Sequence, residues 1–284
     1  MLEAGAKIGV IGTGVMGKGI SLVLAKHGYR VLIFDIDKKK INKVLQDISV
    51  SLQKDLEKEI IQEKEKQEVL KNILIAQSLA EFSDCDLIIE AIVENKTQKE
   101  MLFKKLDSIC DKKTILASNT STILISNLAK SVKRKDKFIG IHFINPVKVM
   151  NLIEIIPGSK TSKETIQKSL DLAEKIGKTP VVAKDSSGFI LNRVLFPMIN
   201  EAAYCLQEKT ANKEEIDKAM KLGANLPMGP LELADLIGID TCLFILQELD
   251  KGLPKRKYQP CPIFKKMVKQ GQLGRKVKSG FYQY

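Results

Sequence analysis

The chain has 284 residues, 44% of them hydrophobic, which suits one large or two modest domains with a buried core. Its 46 basic and 34 acidic side chains leave a formal net charge of +12, and no apolar run approaches the roughly 20 residues that span a bilayer. Neither a membrane anchor nor a low-complexity disordered chain fits this composition. The opening Met1-Leu2-Glu3-Ala4-Gly5-Ala6 leads straight into an apolar run, with no room for a leader peptide. Cys85, Cys110, Cys205, Cys242 and Cys261 are scattered, odd in number and without a CxxC pair. They argue against a metal site or a disulfide framework and for reduced thiols in a cytosol-like, cytoplasmic compartment. The positive excess reads as a lysine-rich solvated surface, because no nucleic-acid-binding module accompanies it. A small anionic ligand needs only a few of these charges.

In chain order, Lys7-Ile8-Gly9-Val10-Ile11-Gly12 has the pattern of a short buried parallel strand. Ile20, Val23 and Leu24 then share one face of a helix that stops at His27-Gly28. Tyr29 to Asp35 reads as the second strand. Neither Gly nor Pro occurs from Tyr29 through Ile139, and Ile41, Val44, Leu45, Ile48, Leu52 and Leu56 recur at helical spacing among Lys and Glu. A shorter helix through Val69-Leu70 returns this one. Two helices between consecutive strands exceed what a crossover needs, so residues 37–72 or so read as an inserted helical arm. Strand-like runs resume at Ile73–Ala76, Asp86–Ile92, Thr114–Ser118, Phe138–Phe143 and Leu152–Ile156, with helices predicted at 96–111 and 122–130. The alternation implies an α/β, doubly wound, Rossmann-type sheet that is mostly parallel. Pro180-Val181-Val182-Ala183 leads to Asp185-Ser186-Ser187-Gly188, beyond which every long segment is helical in pattern. The expected organisation is a dinucleotide-binding domain over 1–185 and an all-helical domain over 186–284.

Gly12-Thr13-Gly14-Val15-Met16-Gly17 fits G-x-G-x-x-G. It follows the first strand, opens a helix and is trailed by Asp35, 18 residues beyond Gly17. Gly12 permits the tight turn, Gly14 lets a pyrophosphate approach the backbone, and Gly17 allows close helix–sheet packing. The helix N-terminus, beginning at Val15 and Met16, offers N–H groups to the anion. Asp35 accepts the adenosine ribose hydroxyls and repels a 2′-phosphate, which favours NAD. The fingerprint by itself also accommodates FAD, and Lys38, Lys39 and Lys40 leave room for NADP.

The chain has two histidines. His27 sits at a helix end, where the dipole accounts for a cation. His142 ends a predicted strand in Gly140-Ile141-His142-Phe143-Ile144-Asn145-Pro146, and ligands of open α/β sheets collect at such strand ends. Taking a proton from an alcohol near neutral pH calls for a base of nearby pKa, and imidazole supplies one. Glu154 follows twelve residues later. If the two strands form an antiparallel hairpin around Asn145-Pro146, its carboxylate meets the imidazole and fixes the tautomer. A Glu facing solvent is the other reading.

The block His142-Phe143-x-Asn145-Pro146, with Met150 and Glu154 downstream, resembles the 3-hydroxyacyl-CoA dehydrogenase family, particularly its bacterial 3-hydroxybutyryl-CoA members. So do Ala117-Ser118-Asn119-Thr120-Ser121, Asp185-x-x-Gly188-Phe189-x-x-Asn192-Arg193, Asn200-Glu201-Ala202 and Ala219-Met220-Lys221-Leu222-Gly223-Ala224. Pro227-Met228-Gly229-Pro230, Leu273-Gly274-Arg275-Lys276 and Gly280-Phe281-Tyr282 extend the likeness over essentially the whole chain. The resemblance implies an NAD-dependent interconversion of (S)-3-hydroxyacyl-CoA and 3-ketoacyl-CoA, short-chain, in fatty acid or butanoate metabolism. It implies His142 as general base, Glu154 as its orienting partner, and Ser121 and Asn192 as donors to the substrate's C3 oxygen. The cofactor contacts it implies, beside the glycine turn, are Asp35, Glu94, Lys99, Asn119, Ser121 and Lys276. For CoA it implies Ser51 and Lys58 in the helical arm, together with Ser121. Ser51 and Lys58 stand seven residues apart, close to two helical turns, so both project from one helix face. Lys58 as one more solvated lysine is the alternative.

The sequence departs from the family pattern at Ser187, where a Pro is usual, at Lys148 and Asn151, usually Pro and Lys, and at Val277-Lys278, where Thr-Gly is common. None of these removes a catalytic group. The apolar Leu231, Leu236, Ile237, Leu243 and Phe244 suit either a homodimer face of the helical domain or that domain's own core. A sugar-acid dehydrogenase without CoA is a rival, opposed by Ser51 and Lys58. A non-enzymatic NAD-binding protein is another, opposed by His142, Glu154, Ser121 and Asn192.

Overall fold

The computed structural model describes residues 5–253 and 258–284. The opening Met1–Ala4, read above as part of a start too short for a leader, lies outside the described residues. The chain divides into two compact units, Met1–Asp185 and Ser186–Tyr284. Among the described residues no helix is long and apolar enough to cross a membrane.

The first unit begins with β1 (Lys7–Ile11), α1 (Val15–Lys26) and β2 (Arg30–Phe34). Helix α1 buries Ile20, Val23 and Leu24 on the sheet and ends at His27, with Gly28 at φ +80° turning the chain back. The predicted arm is α2 (Lys38–Glu57) and α3 (Glu63–Lys71). Asp37 caps α2 through Lys39 N, and Glu65 Oε2 accepts Gln62 N at 2.7 Å to start α3. The arm is no free projection, because Val44, Ile48, Leu52 and Val69 join the main core. Then come β3 (Ile73–Ile75), β4 (Leu87–Glu90), α4 (Lys96–Ile109), β5 (Ile115–Ser118), α5 (Ile125–Leu128), β6 (Phe138–Phe143), β7 (Leu152–Pro157), α6 (Lys163–Lys175) and β8 (Thr179–Val182).

The described strands form one eight-stranded sheet in the order β3-β2-β1-β4-β5-β6-β7-β8. Every neighbouring pair is parallel except β6 and β7, which are antiparallel. The order turns about β1, between β2 and β4, which opens a crevice at their C-terminal ends. This is the doubly wound, mostly parallel sheet expected from the alternation of elements.

Two local departures have side-chain causes. The strand predicted to reach Ile92 ends at Glu90, because the Glu90 carboxylate turns back and accepts Ile92 N at 2.8 Å. The helix predicted over 122–130 shrinks to α5 and one further turn. Its first backbone donors are taken by distant carboxylates: Thr122 N by Glu94, and Ile125 N and Ser126 N by Asp185.

The second unit is helical: α7 (Leu191–Gln207), α8 (Lys213–Gly223), α9 (Pro230–Ile237), α10 (Ile239–Gly252) and α11 (Pro262–Lys269). Its core gathers Phe196, Ile199, Leu231, Ile239, Leu246, Tyr258 and Phe264. The expected dimer face divides here. Leu231 is fully buried in the unit's own core, whereas Leu236 and Phe244 are 50% and 40% exposed.

The closing Gly280-Phe281-Tyr282 is fastened by Asp235, 1% exposed on α9. Its two oxygens accept Phe281 N and Tyr282 N, each at 2.8 Å, and a Cβ at Gly280 would stand 1.9 Å from Oδ1. Asp235→Ala orphans two sequestered amides and should cost about 2–4 kcal/mol. A urea midpoint matching the parent protein's would contradict this account of the C-terminal clasp.

Candidate active site

The glycine turn is built as its sequence required. Gly12 adopts φ +96°, and a Cβ there would lie 2.5 Å from the carbonyl oxygen of Ala91, just past the end of the neighbouring strand β4. A Cβ on Gly17 would lie 1.7 Å from the main-chain oxygen of Gly12, so α1 packs on the turn only because residue 17 is glycine. A Cβ added at Gly14 would meet nothing within 4 Å, and no side chain caps the helix that Val15 and Met16 begin. The turn is closed behind and open in front, as a pyrophosphate requires. Asp35 stands beside it: Oδ2 accepts Thr13 N and Oγ1 at 2.8 and 3.1 Å, and Oδ1 accepts Asp37 N at 3.0 Å. The carboxylate therefore anchors the turn while retaining acceptor capacity for ribose hydroxyls. Lys38, Lys39 and Lys40 are exposed in the first turn of α2.

Next to the turn lies a buried charge cluster. Lys99, on α4 and 1% exposed, donates to Glu90 Oε1 at 2.6 Å and pairs with Glu94 Oε2 at 3.1 Å. Glu90, 0% exposed at the end of β4, also accepts Ser118 Oγ at 2.7 Å from the end of β5. Burial pushes the Glu90 carboxyl above the usual range, and Lys99, Ser118 and the Ile92 amide only partly offset it. For Glu94 burial also raises the pKa, but Lys99 and the Thr120 and Thr122 hydroxyls outweigh it and hold the group below its ordinary value. Glu94 Oε1 further accepts Ser121 N and Thr122 N at 3.0 and 3.1 Å. Lys99 is thus enclosed by two carboxylates, and Glu94 shapes the loop that carries Asn119 and Ser121. Asn119 Oδ1 in turn accepts Phe143 N at 2.8 Å, joining this loop to the end of β6. Glu90 and Thr122 were not singled out from sequence, and Ser118 and Thr120 entered only as part of the block Ala117–Ser121, with no site role assigned to them. A glutamate closing the otherwise apolar run Leu87-Ile88-Ile89 is the one sign that pointed there.

His142 and Glu154 are register partners on β6 and β7. Directly opposed residues send their side chains to the same face, and Nδ1 of His142 lies 2.7 Å from Glu154 Oε2. The imidazole is 8% exposed and the carboxylate 1%. The Nδ1–Oε2 contact fixes which way the ring faces within the β6–β7 pair.

Ser51 lies half-buried on α2. Lys58 is exposed but is the C-cap, not a further helical residue. Glu59 at φ +56° donates to Leu56 O and Ile60 N to Asp55 O, both at 2.9 Å, and this pair of bonds ends the helix before Lys58. Ser51 therefore lies within α2 and Lys58 at its C-terminal boundary. In the second unit Asn192 is buried in the first turn of α7. Lys276 donates to both oxygens of Asp240 at 2.5 and 2.6 Å. No cluster of His, Cys, Asp and Glu among the described residues could hold a metal ion.

The sequence matches the family description "3-hydroxyacyl-CoA dehydrogenase, NAD binding domain" over residues 7–186 and the corresponding C-terminal domain over 188–284. It is 46% identical over 278 residues to a 3-hydroxybutyryl-CoA dehydrogenase of Bradyrhizobium diazoefficiens, covering 98% of this chain and 95% of that protein. It is 42% identical to the human mitochondrial hydroxyacyl-coenzyme A dehydrogenase, covering 97% and 90%. Among solved structures, (S)-3-hydroxybutyryl-CoA dehydrogenase from Ralstonia eutropha superposes with a TM-score of 0.94 at 42% identity, covering 98% of each chain.

Proposed function

The chain belongs to the 3-hydroxyacyl-CoA dehydrogenase family, and from that premise we propose that it acts on short (S)-3-hydroxyacyl-CoA and 3-ketoacyl-CoA esters, 3-hydroxybutyryl-CoA and acetoacetyl-CoA foremost. It is an NAD-dependent oxidoreductase that interconverts hydroxyacyl-CoA and ketoacyl-CoA. The observation that carries the mechanism is the 2.7 Å contact between His142 Nδ1 and Glu154 Oε2.

Bound NAD supplies the two-electron acceptor at the substrate's C3, or the donor when reduced. His142 Nε2 takes the hydroxyl proton during oxidation and returns it to the C3 oxygen during reduction. Glu154 holds Nδ1 protonated and stabilises the imidazolium that forms. The hydroxyl of Ser121, on the loop shaped by Glu94, donates to the C3 oxygen where negative charge develops. Asn192 is assigned as a further donor, and Lys276 as a further cofactor contact, on the family resemblance. The open front of Gly14, the α1 N-terminus at Val15 and Met16, Asp35, and the Asn119 loop backed by Glu94 and Lys99 are the residues that would hold NAD. Ser51 and Lys58 are assigned to CoA. Exposed Leu236 and Phe244 support a homodimer through the second unit, and five free cysteines support a reducing, cytoplasmic location.

NADH consumption should be rapid with acetoacetyl-CoA, slower with longer 3-ketoacyl-CoA esters and negligible with free acetoacetate. NADPH should serve at least tenfold less well, since Asp35 repels a 2′-phosphate. Equal turnover of free acetoacetate and its CoA ester would remove CoA from the reading, and equal use of NADPH would remove Asp35 as the discriminator.

A further inference from the structure

Helices α1 and α2 are joined by a repeated ion pair. Lys18 Nζ meets Asp47 Oδ2 at 2.8 Å, and Lys26 Nζ meets Asp55 Oδ2 at 2.8 Å. Both pairs are spaced eight residues apart on each helix, so the helices run in the same direction with contacts about 12 Å apart. The two pairs are not alike. Lys18 and Asp47 are each 36% exposed, where an ion pair is worth little. The Asp55 side chain is only 4% exposed, and its second oxygen, Oδ1, binds Lys148 Nζ.

Lys148 lies on the connection between β6 and β7, six residues after His142 and six before Glu154. One residue earlier, Val147 is 3% exposed and presses on α1, where a Cβ added to Gly19 would stand 2.9 Å from Val147 Cβ. The catalytic connection is therefore seated on α1 by an apolar contact and reaches past it to α2 by a charged one. Asp55 closes a buried stripe of α2 formed by Ile41, Val44, Ile48 and Leu52, and a leucine there would continue that stripe. A buried carboxylate among apolar neighbours is tolerated when cations meet both its oxygens. Here the two cations come from different elements, and one of those is the loop between the proposed acid–base pair. Ser51 is one helical turn before Asp55, on the same side of α2.

We propose that the Lys148–Asp55 pair is a strut that sets the Ser51 turn of α2 against the His142–Glu154 connection, making Lys148 a positioning residue for the CoA portion of the substrate. This rests on the assignment of the Ser51 face of α2 to CoA. The strut serves only substrates long enough to touch both α2 and the catalytic loop, and it takes no part in moving the proton. That separation is what an experiment can read.

The comparison is between acetoacetyl-CoA and acetoacetyl-N-acetylcysteamine, which carries the same reacting thioester without the nucleotide. In the full-length Lys148→Met enzyme, kcat/KM for acetoacetyl-CoA should fall about 5–20-fold, chiefly through KM, as expected when ground and transition states lose the same binding. With the truncated thioester it should stay within about twofold, and KM for NADH should not move. Lys148→Arg should restore most of the loss, since it keeps a cation in reach of Asp55. An equal fall with both thioesters would make the pair a general support of the fold, and no fall with either would make it a surface contact. Each of those results overturns the proposal. A parent enzyme that uses neither thioester would refute the proposed function itself. A parent that uses both equally well would refute the assignment of α2 to CoA, and the strut with it.

Discussion

His142→Gln should bind NADH as the parent enzyme does and turn over acetoacetyl-CoA about 10²–10⁴-fold more slowly, the usual worth of a positioned acid–base group. Glutamine retains a polar side chain opposite Glu154 but cannot cycle a proton near neutral pH. Because His142 and Glu154 are cross-strand partners joined at Nδ1, Glu154→Gln should lose much of the same activity. The double variant should be scarcely worse than His142→Gln, since both changes disable one unit. Fully additive losses in that cycle would make Glu154 an independent group. Near-parental turnover in His142→Gln, with NADH affinity confirmed by fluorescence titration, would dismiss the mechanism outright.

The second large effect is on stability. Lys99→Met strands Glu90, whose side chain is fully buried, without its cation, and should destabilise the first unit by about 3–5 kcal/mol. The loss should depend on pH in a direction opposite to that of an ordinary salt bridge. Burial already raises the Glu90 carboxyl, and removing the ammonium raises it further, so the folded variant holds a proton that the unfolded chain releases. A folded-state pKa above the unfolded one contributes stability at low pH that is lost as pH rises through the folded value. Urea denaturation of Lys99→Met should thus show its smallest deficit near pH 5 and its largest near pH 8. Adding Glu90→Gln should recover part of the deficit at pH 8, because no buried charge then remains at position 90. A deficit that is flat across this range, unmoved by Glu90→Gln, would mean that packing of the lysine stem matters more than its charge.

What could be read from sequence was what depends on neighbours along the chain or on repeating patterns. The glycine turn, the apolar faces of α1 and α2, and the return of strands after the arm all follow from spacing. The parallel sheet then follows from their alternation. His142 and Glu154 were accessible because a hairpin makes residues on either side of its turn meet, so separation along the chain became proximity in space. The cluster around Glu90 was not accessible. Ser118 lies 28 residues from Glu90, and only the pairing of β4 with β5 brings them together. The short α5 failed for the same reason: its apolar spacing is helical, but carboxylates of Glu94 and Asp185 claim its first amides. Lys148 registered only as a departure from a family pattern, since its partner Asp55 lies 93 residues away on another element. The end of α2 just before Lys58 was not legible either, because a left-handed glutamate at position 59 carries no strong sequence signal.

The antiparallel step between β6 and β7 has a consequence for how such an enzyme changes over generations. The opposition of His142 and Glu154 is written into a backbone ladder running from Ile139–Pro157 to Phe143–Ile153. Residues 144–151 hang outside that ladder. Mutation can therefore lengthen, shorten or recharge the connection while the paired strands go on holding imidazole to carboxylate. A slip of one residue within the ladder would send one of the two side chains to the other face of the sheet. The meeting of imidazole and carboxylate is thus set by main-chain pairing, and the eight residues of the connection lie outside the ladder that sets it.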